Sequence, residues 1–174
     1  MSTRESSFDP AAPWAAALRA AARGCVVVLG IGNDLRGDDG AGSLVARELG
    51  GRFPGLVFDG GQAPENLSGP LRRARPDAVI VVDAADFGAA PGEVRVVSAA
   101  EGAGGLTLGT HALPIGTFLA ALAETTGAAI HLVAVQAATT EFGAAMTPAV
   151  AAAVGDVARE LAAVLADARQ GGDQ

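Results

Sequence analysis

The chain has 174 residues, half of them hydrophobic and 18% charged, a composition that suits one globular domain and excludes a disordered or polyelectrolyte chain. A net charge of −7 argues against nucleic-acid partners, whose phosphates need clustered cations. All 12 basic residues are Arg, so Schiff-base chemistry, a P-loop lysine and a serine–lysine dyad are excluded together.

Residues 1–24 form an N-terminal extension. A polar lead, Met1 to Pro10, precedes an Ala-rich helix over Pro13 to Arg23 that is anchored by Trp14 and read as a surface cover for a sheet. Arg19 and Arg23 interrupt this stretch, so it lacks a signal peptide's continuous apolar run. Unbroken apolar runs such as Cys25 to Leu29 are far too short to span a bilayer. A single cysteine rules out an intrachain disulfide and fits a reducing compartment. A cytoplasmic protein without membrane insertion is expected.

From Cys25 the segment CVVVLGI is the continuous β-branched run of a strand buried on both faces. The loop GNDLRGDDG follows, then a helix from about Ala41 to Leu49 with Leu44, Val45 and Leu49 on one side. Leu56 to Asp59 is a short second strand, Pro64 to Arg75 a helical or turn-like crossover, and Ala78 to Ala84 a third strand, again read as buried throughout. Glu93 to Ser98 alternates as an edge strand does. Glu101 to Gly109 is Gly-rich and aperiodic, a surface loop. A helix starts near Pro114 with Ile115, Phe118, Leu119 and Leu122 at helical spacing, and Ile130 to Gln136 is the last strand. The final helix, about Pro148 to Ala168, carries Val150, Val154, Val157, Leu161 and Val164 on one stripe, and the tail from Gln170 is expected to fray. The alternation predicts a single α/β domain over residues 25–169, a doubly wound, mostly parallel five-stranded sheet with helices on both faces. Ligands of such sheets bind beyond the carboxyl ends of the strands. Here those places are Gly32 to Gly40, Asp83 to Phe87 and the loop ending at His111.

Gly30-Ile31-Gly32 after a strand suggests dinucleotide binding, with Asp59 as a ribose-binding carboxylate, but Leu35 stands where the third glycine belongs. Asp34, Asp38 and Asp39 also oppose it: a carboxylate about 5 Å from a pyrophosphate oxygen costs roughly 3 kcal/mol at an effective dielectric of 20. Asp38 is read as the cap of the following helix, which leaves Asp39 surplus to capping. Asp83 ends an apolar strand, where a charge is costly without a partner; a structural acid that binds loop amides is the alternative. Asp86 is read as solvated. Pro114 places His111 at or just before a helix N-terminus, where the dipole favours the neutral, metal-binding imidazole. His131, inside the last strand, is read as a core or edge residue. Two carboxylates and an imidazole, Asp39, Asp83 and His111, suit divalent first-row metals. G-x-S-x-G and H-E-x-x-H are absent, and Cys25 is read as inert packing at the start of a buried strand.

VVLGIGNDLRGDDGAG, GGQAPENLSGPLRRARPDAVIVVDAADFG and THALPIGTFL, in that order between about Val26 and Leu165, resemble the hydrogenase maturation endopeptidases. The segment Met146 to Val150 also fits. The resemblance implies a doubly wound α/β fold and a peptidase that removes the C-terminal extension of a nickel–iron hydrogenase large-subunit precursor after nickel insertion. It maps the family's metal-contacting residues to Asp39, Asp83 and His111. The nickel is then carried by the substrate, no nucleotide cofactor is needed, and Asp39 or Asp83 activates water in an aspartic-type or metal-assisted hydrolysis. The form H-x-L-P is similar to the branch serving formate-hydrogenlyase and related membrane-associated hydrogenases. Ala137 departs from the family, where many relatives carry Pro at a position that shapes the cleft. The alternative function is a non-catalytic, chaperone-like or metal-binding maturation module; nucleotide-dependent redox chemistry is a more distant one.

Overall fold

A computed structural model describes residues 9–101, 107–108 and 115–171. Helices and strands follow in the order α1 (Pro13–Ala21), β1 (Val26–Ile31), α2 (Ala41–Gly50), β2 (Val57–Gly61), α3 (Ser68–Ala74), β3 (Ala78–Asp86), β4 (Val94–Ser98), β5 (Thr107–Leu108), α4 (Ile115–Thr126), β6 (Ala129–Gln136) and α5 (Pro148–Gly171). The main sheet has the order β2-β1-β3-β6-β4. β1, β2, β3 and β6 run parallel, and β4 lies antiparallel to β6 at the edge. This is the five-stranded, mostly parallel α/β architecture expected from the strand–helix alternation.

The pleat sorts the core into two halves, because successive residues of a strand face opposite ways. Val26, Val28, Ile80, Val82, Val133 and Val135 pack under α1, α2 and α5. Val27, Leu29, Val79, Val81, Ile130 and Leu132 pack under α3 and α4. β1 and β3 are buried along almost their whole length for this reason. The predicted stripe of α5 holds: Val150, Val154, Val157, Leu161 and Val164 are all buried. Ala15 and Leu18 of α1 are buried as well, and Arg19 pairs with the buried Glu160 of α5 at 3.1 Å, so α1 is latched onto the core it covers.

Several boundaries differ from the sequence expectation. α1 ends at Ala21, and β2 runs on to Gly61. A 3-10 turn, Ala99–Glu101, leads into the stretch predicted as a loop, and within that stretch Thr107–Leu108 pairs antiparallel with Asp86 and Ala85. The helical ladder of α5 continues to Gly171, past the predicted fraying point. No described helix is long and apolar enough to cross a membrane.

Two glycines bring α2 onto the sheet at the junction of β1 and β3. A Cβ on Gly42 would lie 2.0 Å from the Val82 carbonyl oxygen and 2.3 Å from that of Ile31, and one on Gly30 would lie 2.1 Å from the Gly42 oxygen. Real Cβ contacts do not approach so closely, so only glycine permits this helix-on-strand packing.

Candidate active site

β1 connects through α2 to β2 on one side of it, while β3 lies on its other side, and α2 and α3 cover opposite faces of the sheet. The carboxyl ends of β1 and β3 therefore flank the topological switch point, where ligands of doubly wound sheets bind. The turn from β1 into α2 is built by short-range bonds. Asn33 Oδ1 accepts the Leu35 amide at 3.0 Å, the Asp39 amide donates to the Arg36 carbonyl, and the Asn33 amide donates to the Asp39 carbonyl. Gly37 holds φ +56°, and residues Gly37–Gly40 form a single 3-10 turn that leads into α2.

Asp38 does not cap the helix. Neither the 3-10 turn nor α2 has a side-chain cap. Instead the fully buried Asp38 carboxylate holds the loop between β6 and α5: Oδ2 accepts the amides of Ala138 (2.8 Å) and Thr139 (3.1 Å). Oδ1 accepts the Thr147 amide at 2.7 Å and its hydroxyl at 3.0 Å. Backbone bonds from Gly37 to Ala144, from Asp38 to Thr139 and from Gly143 to Leu35 tie the two loops further.

Asp39 and Asp83 are both fully buried. The Asp39 carbonyl lies against Gly32, just past β1, so closely that a Cβ there would sit 2.2 Å from it. Asp83 belongs to β3, one residue beyond Val82, the partner of Gly30. Asp39 thus belongs to the turn that follows β1 and packs on β3, and Asp83 lies inside β3, three residues before its end rather than at it, because the ladder runs on to Asp86. Asp83 Oδ1 accepts the Ala84 amide at 2.9 Å. Both residues have further interactions, and the buried oxygens Asp39 Oδ1 and Asp83 Oδ2 accept no hydrogen bond among the described groups. His111 lies outside the described residues. The described chain before it ends at Leu108, paired with Ala85 two residues from Asp83. Among the described residues no three His, Cys, Asp or Glu side chains form a metal-holding group, so the two acids alone do not complete a ligand set.

Gln136, which sequence reasoning did not single out, organises the loop after β3. Its Oε1 accepts the amides of Phe87 (2.9 Å) and Ala89 (3.2 Å), while Nε2 donates to Asp86 Oδ1 (3.2 Å) and the Ala137 carbonyl (2.9 Å). An apolar strand ending in a buried amide was the available signal. Asp86 is exposed, as expected, and the bonds from Gly88 and Gln136 lower its pKa. The Ala137 amide donates to the Ala85 carbonyl at 2.9 Å, a bond that proline lacks the hydrogen to make. His131 is half-buried in β6. Cys25 corrects the expectation of a buried thiol: it precedes β1 and is exposed. Partial burial first, then the charge of Asp77, raises its pKa, which leaves it a poor nucleophile at neutral pH.

A cleft of about 280 Å³ opens beside the site, between the ends of β1 and β2, lined by Gly32, Asn33, Asp34, Arg47, Asp59 and Gln62 among others. Its cation is already engaged, because Arg47 holds both oxygens of Asp34 at 2.6 and 2.8 Å and reaches Asp59 at 3.7 Å. A pyrophosphate placed here meets two carboxylates, which weighs against the dinucleotide reading.

A sequence profile described as hydrogenase maturation protease matches residues 45–164. The chain belongs to the hydrogenase maturation protease family. Its similarity to the hydrogenase 3 maturation protease of Escherichia coli K12 is 39% identity over 108 residues, 61% of this chain and 69% of that one. The crystal structure of a [NiFe] hydrogenase maturation protease, HycI, from Thermococcus kodakarensis superposes with a TM-score of 0.76 at 31% identity, covering 86% of this chain and 98% of that one. The solution structure of the endopeptidase HycI from Escherichia coli gives 0.68 at 34% identity, over 78% and 87% of the two chains. Membership makes the protein a peptidase of hydrogenase maturation. The matched span contains Asp83 and His111, and it begins six residues after Asp39.

Proposed function

We propose that this maturation protease removes the C-terminal extension of a nickel–iron hydrogenase large-subunit precursor after nickel insertion, with Asp39, Asp83 and His111 engaging the substrate's nickel. The observation that supports the reading is a pair of fully buried carboxylates at the switch point of the sheet, one on the turn that follows β1 and one on the adjacent strand β3. Burying one charge is costly and burying two near one switch point is more so, and a divalent cation arriving with the substrate offsets both. Carboxylates and an imidazole are hard and borderline donors that accept such a metal without the tight hold of thiolates. The nickel then acts as a recognition signal, so that precursor lacking it is left uncut.

Once the precursor is seated, the bound cation polarises the scissile carbonyl. One of the two acids, Asp39 or Asp83, takes a proton from the attacking water and returns it to the leaving amine. The clamp made by Asp38 and the loop held by Gln136 keep these groups in place before substrate arrives. Purified nickel-loaded and nickel-free precursors are offered to the wild type and to Asp39→Asn, Asp83→Asn and His111→Ala. The expected result is cleavage of the loaded precursor by the wild type alone, with losses of about 100-fold or more for the variants. Equal cleavage of both precursors by all four proteins overturns the proposal.

A further inference from the structure

Leu35 and Phe142 are the exposed large hydrophobic residues of the described chain, 59% and 72% accessible. Single exposed apolar side chains are ordinary on protein surfaces. These two share one place, because Leu35 leads into the turn that carries Asp38 and Asp39 while Phe142 lies on the loop that Asp38 clamps. The residue after Phe142, Gly143, donates its amide to the Leu35 carbonyl at 2.7 Å. Both loops are fixed by the buried Asp38 carboxylate, so this apolar pair is presented by rigid backbone, which lowers the ordering cost of binding. Each member has a charged neighbour: half-buried Arg36 beside Leu35 and exposed Glu141 beside Phe142. Arg36 forms no ion pair with a described carboxylate, and its buried Nε has no acceptor among the described residues.

Resting on the function proposed above, we infer that Leu35 and Phe142 form a docking platform for the folded body of the large-subunit precursor, receiving an apolar patch that sets a carboxylate against Arg36. The tail to be cut must reach the buried acids, whereas the platform faces solvent beside them. It therefore suits the part of the partner that stays outside the cleft.

Both side chains are exposed, so the double variant Leu35→Ser/Phe142→Ser folds. Steady-state cleavage of nickel-loaded precursor is expected to show a KM raised about 10-fold or more with kcat within twofold of wild type. Arg36→Glu raises KM at low salt, and the difference shrinks as salt is added. An unchanged KM in the double variant, or a loss confined to kcat, overturns the platform. Direct binding of the same precursor, measured by interferometry, separates this inference from the function it rests on. Wild-type binding without cleavage defeats the protease reading alone, whereas equal binding by wild type and double variant defeats the platform.

Discussion

Asp38→Asn tests whether the clamp beside the site stabilises the protein as its geometry requires. The carboxylate is fully buried and takes three backbone amides plus the Thr147 hydroxyl, with Ala138 and Thr139 on one oxygen and the Thr147 amide on the other. An asparagine amide has a single acceptor oxygen. Whichever way it turns, its NH2 group faces either the Thr147 amide or those of Ala138 and Thr139. One or two part-buried donors then lose their acceptor, at about 1–2 kcal/mol each, and the remaining bonds lose their charge assistance. The expected destabilisation is about 3 kcal/mol, which lowers Tm by about 6–12 °C in a domain of this size. Urea denaturation gives the free energy, provided the m-value is unchanged, and thermal unfolding gives the Tm. Thr147→Val removes only the hydroxyl and should cost about 1 kcal/mol. The double variant should lose less than the sum, because both changes act on one network. A loss below about 1 kcal/mol for Asp38→Asn refutes the reasoning, since it would mean that these donors find water or another acceptor.

Gly42→Ala places a methyl 2.0 Å from the Val82 carbonyl oxygen, a backbone atom with no rotamer to escape into. A loss of about 3 kcal/mol or failure to fold is expected, read by denaturant unfolding. Gln136→Leu strips the acceptor from the amides of Phe87 and Ala89; their hydrogen exchange should quicken about 10-fold or more, and stability should fall by about 2 kcal/mol. The Asp34 pKa is lowered, first by its hydrogen bond from Arg47. The stabilisation from this pair is therefore present above the ordinary aspartate pKa near about 4 and is lost as pH falls through the depressed value. Both side chains are about half exposed, which limits the effect to below about 1 kcal/mol. Carboxyl-carbon NMR of Arg47→Ala should find the Asp34 titration moved upward.

The strands and their order of burial were readable from the sequence because each obeys a local rule. β1 and the first five residues of β3 are unbroken apolar runs, as doubly covered parallel strands must be, and β4 lies at the sheet edge as its mixed pattern predicts. What escaped depended on distant partners. The pairing of Thr107 and Leu108 with the end of β3 leaves no periodic trace in two residues. The packing of Leu18 under the sheet and the capture of Arg19 by Glu160 depend on residues far along the chain. Cys25 was misplaced by a single residue: the apolar run begins with it, but the ladder begins at Val26, and Cys25 instead gives its amide to Asp77.

The adjacent acids show the same limit at the site itself. Read locally, Asp38 and Asp39 are interchangeable candidates for a helix cap, because capping depends only on distance from the first turn. The partner that settles the role of Asp38 is Thr147, 109 residues away, and no pattern near residue 38 announces it. A 3-10 turn advances about 120° per residue, so two neighbouring side chains on Gly37–Gly40 must diverge. One is committed to the β6–α5 loop by strong bonds that leave little acceptor capacity for a ligand. The other has its carbonyl against Gly32, just past β1, on a turn that packs on the strand carrying Asp83. The turn geometry therefore sends two neighbouring residues of one type into different surroundings. Substitution of each should separate them: Asp38→Asn in stability first, Asp39→Asn in cleavage first.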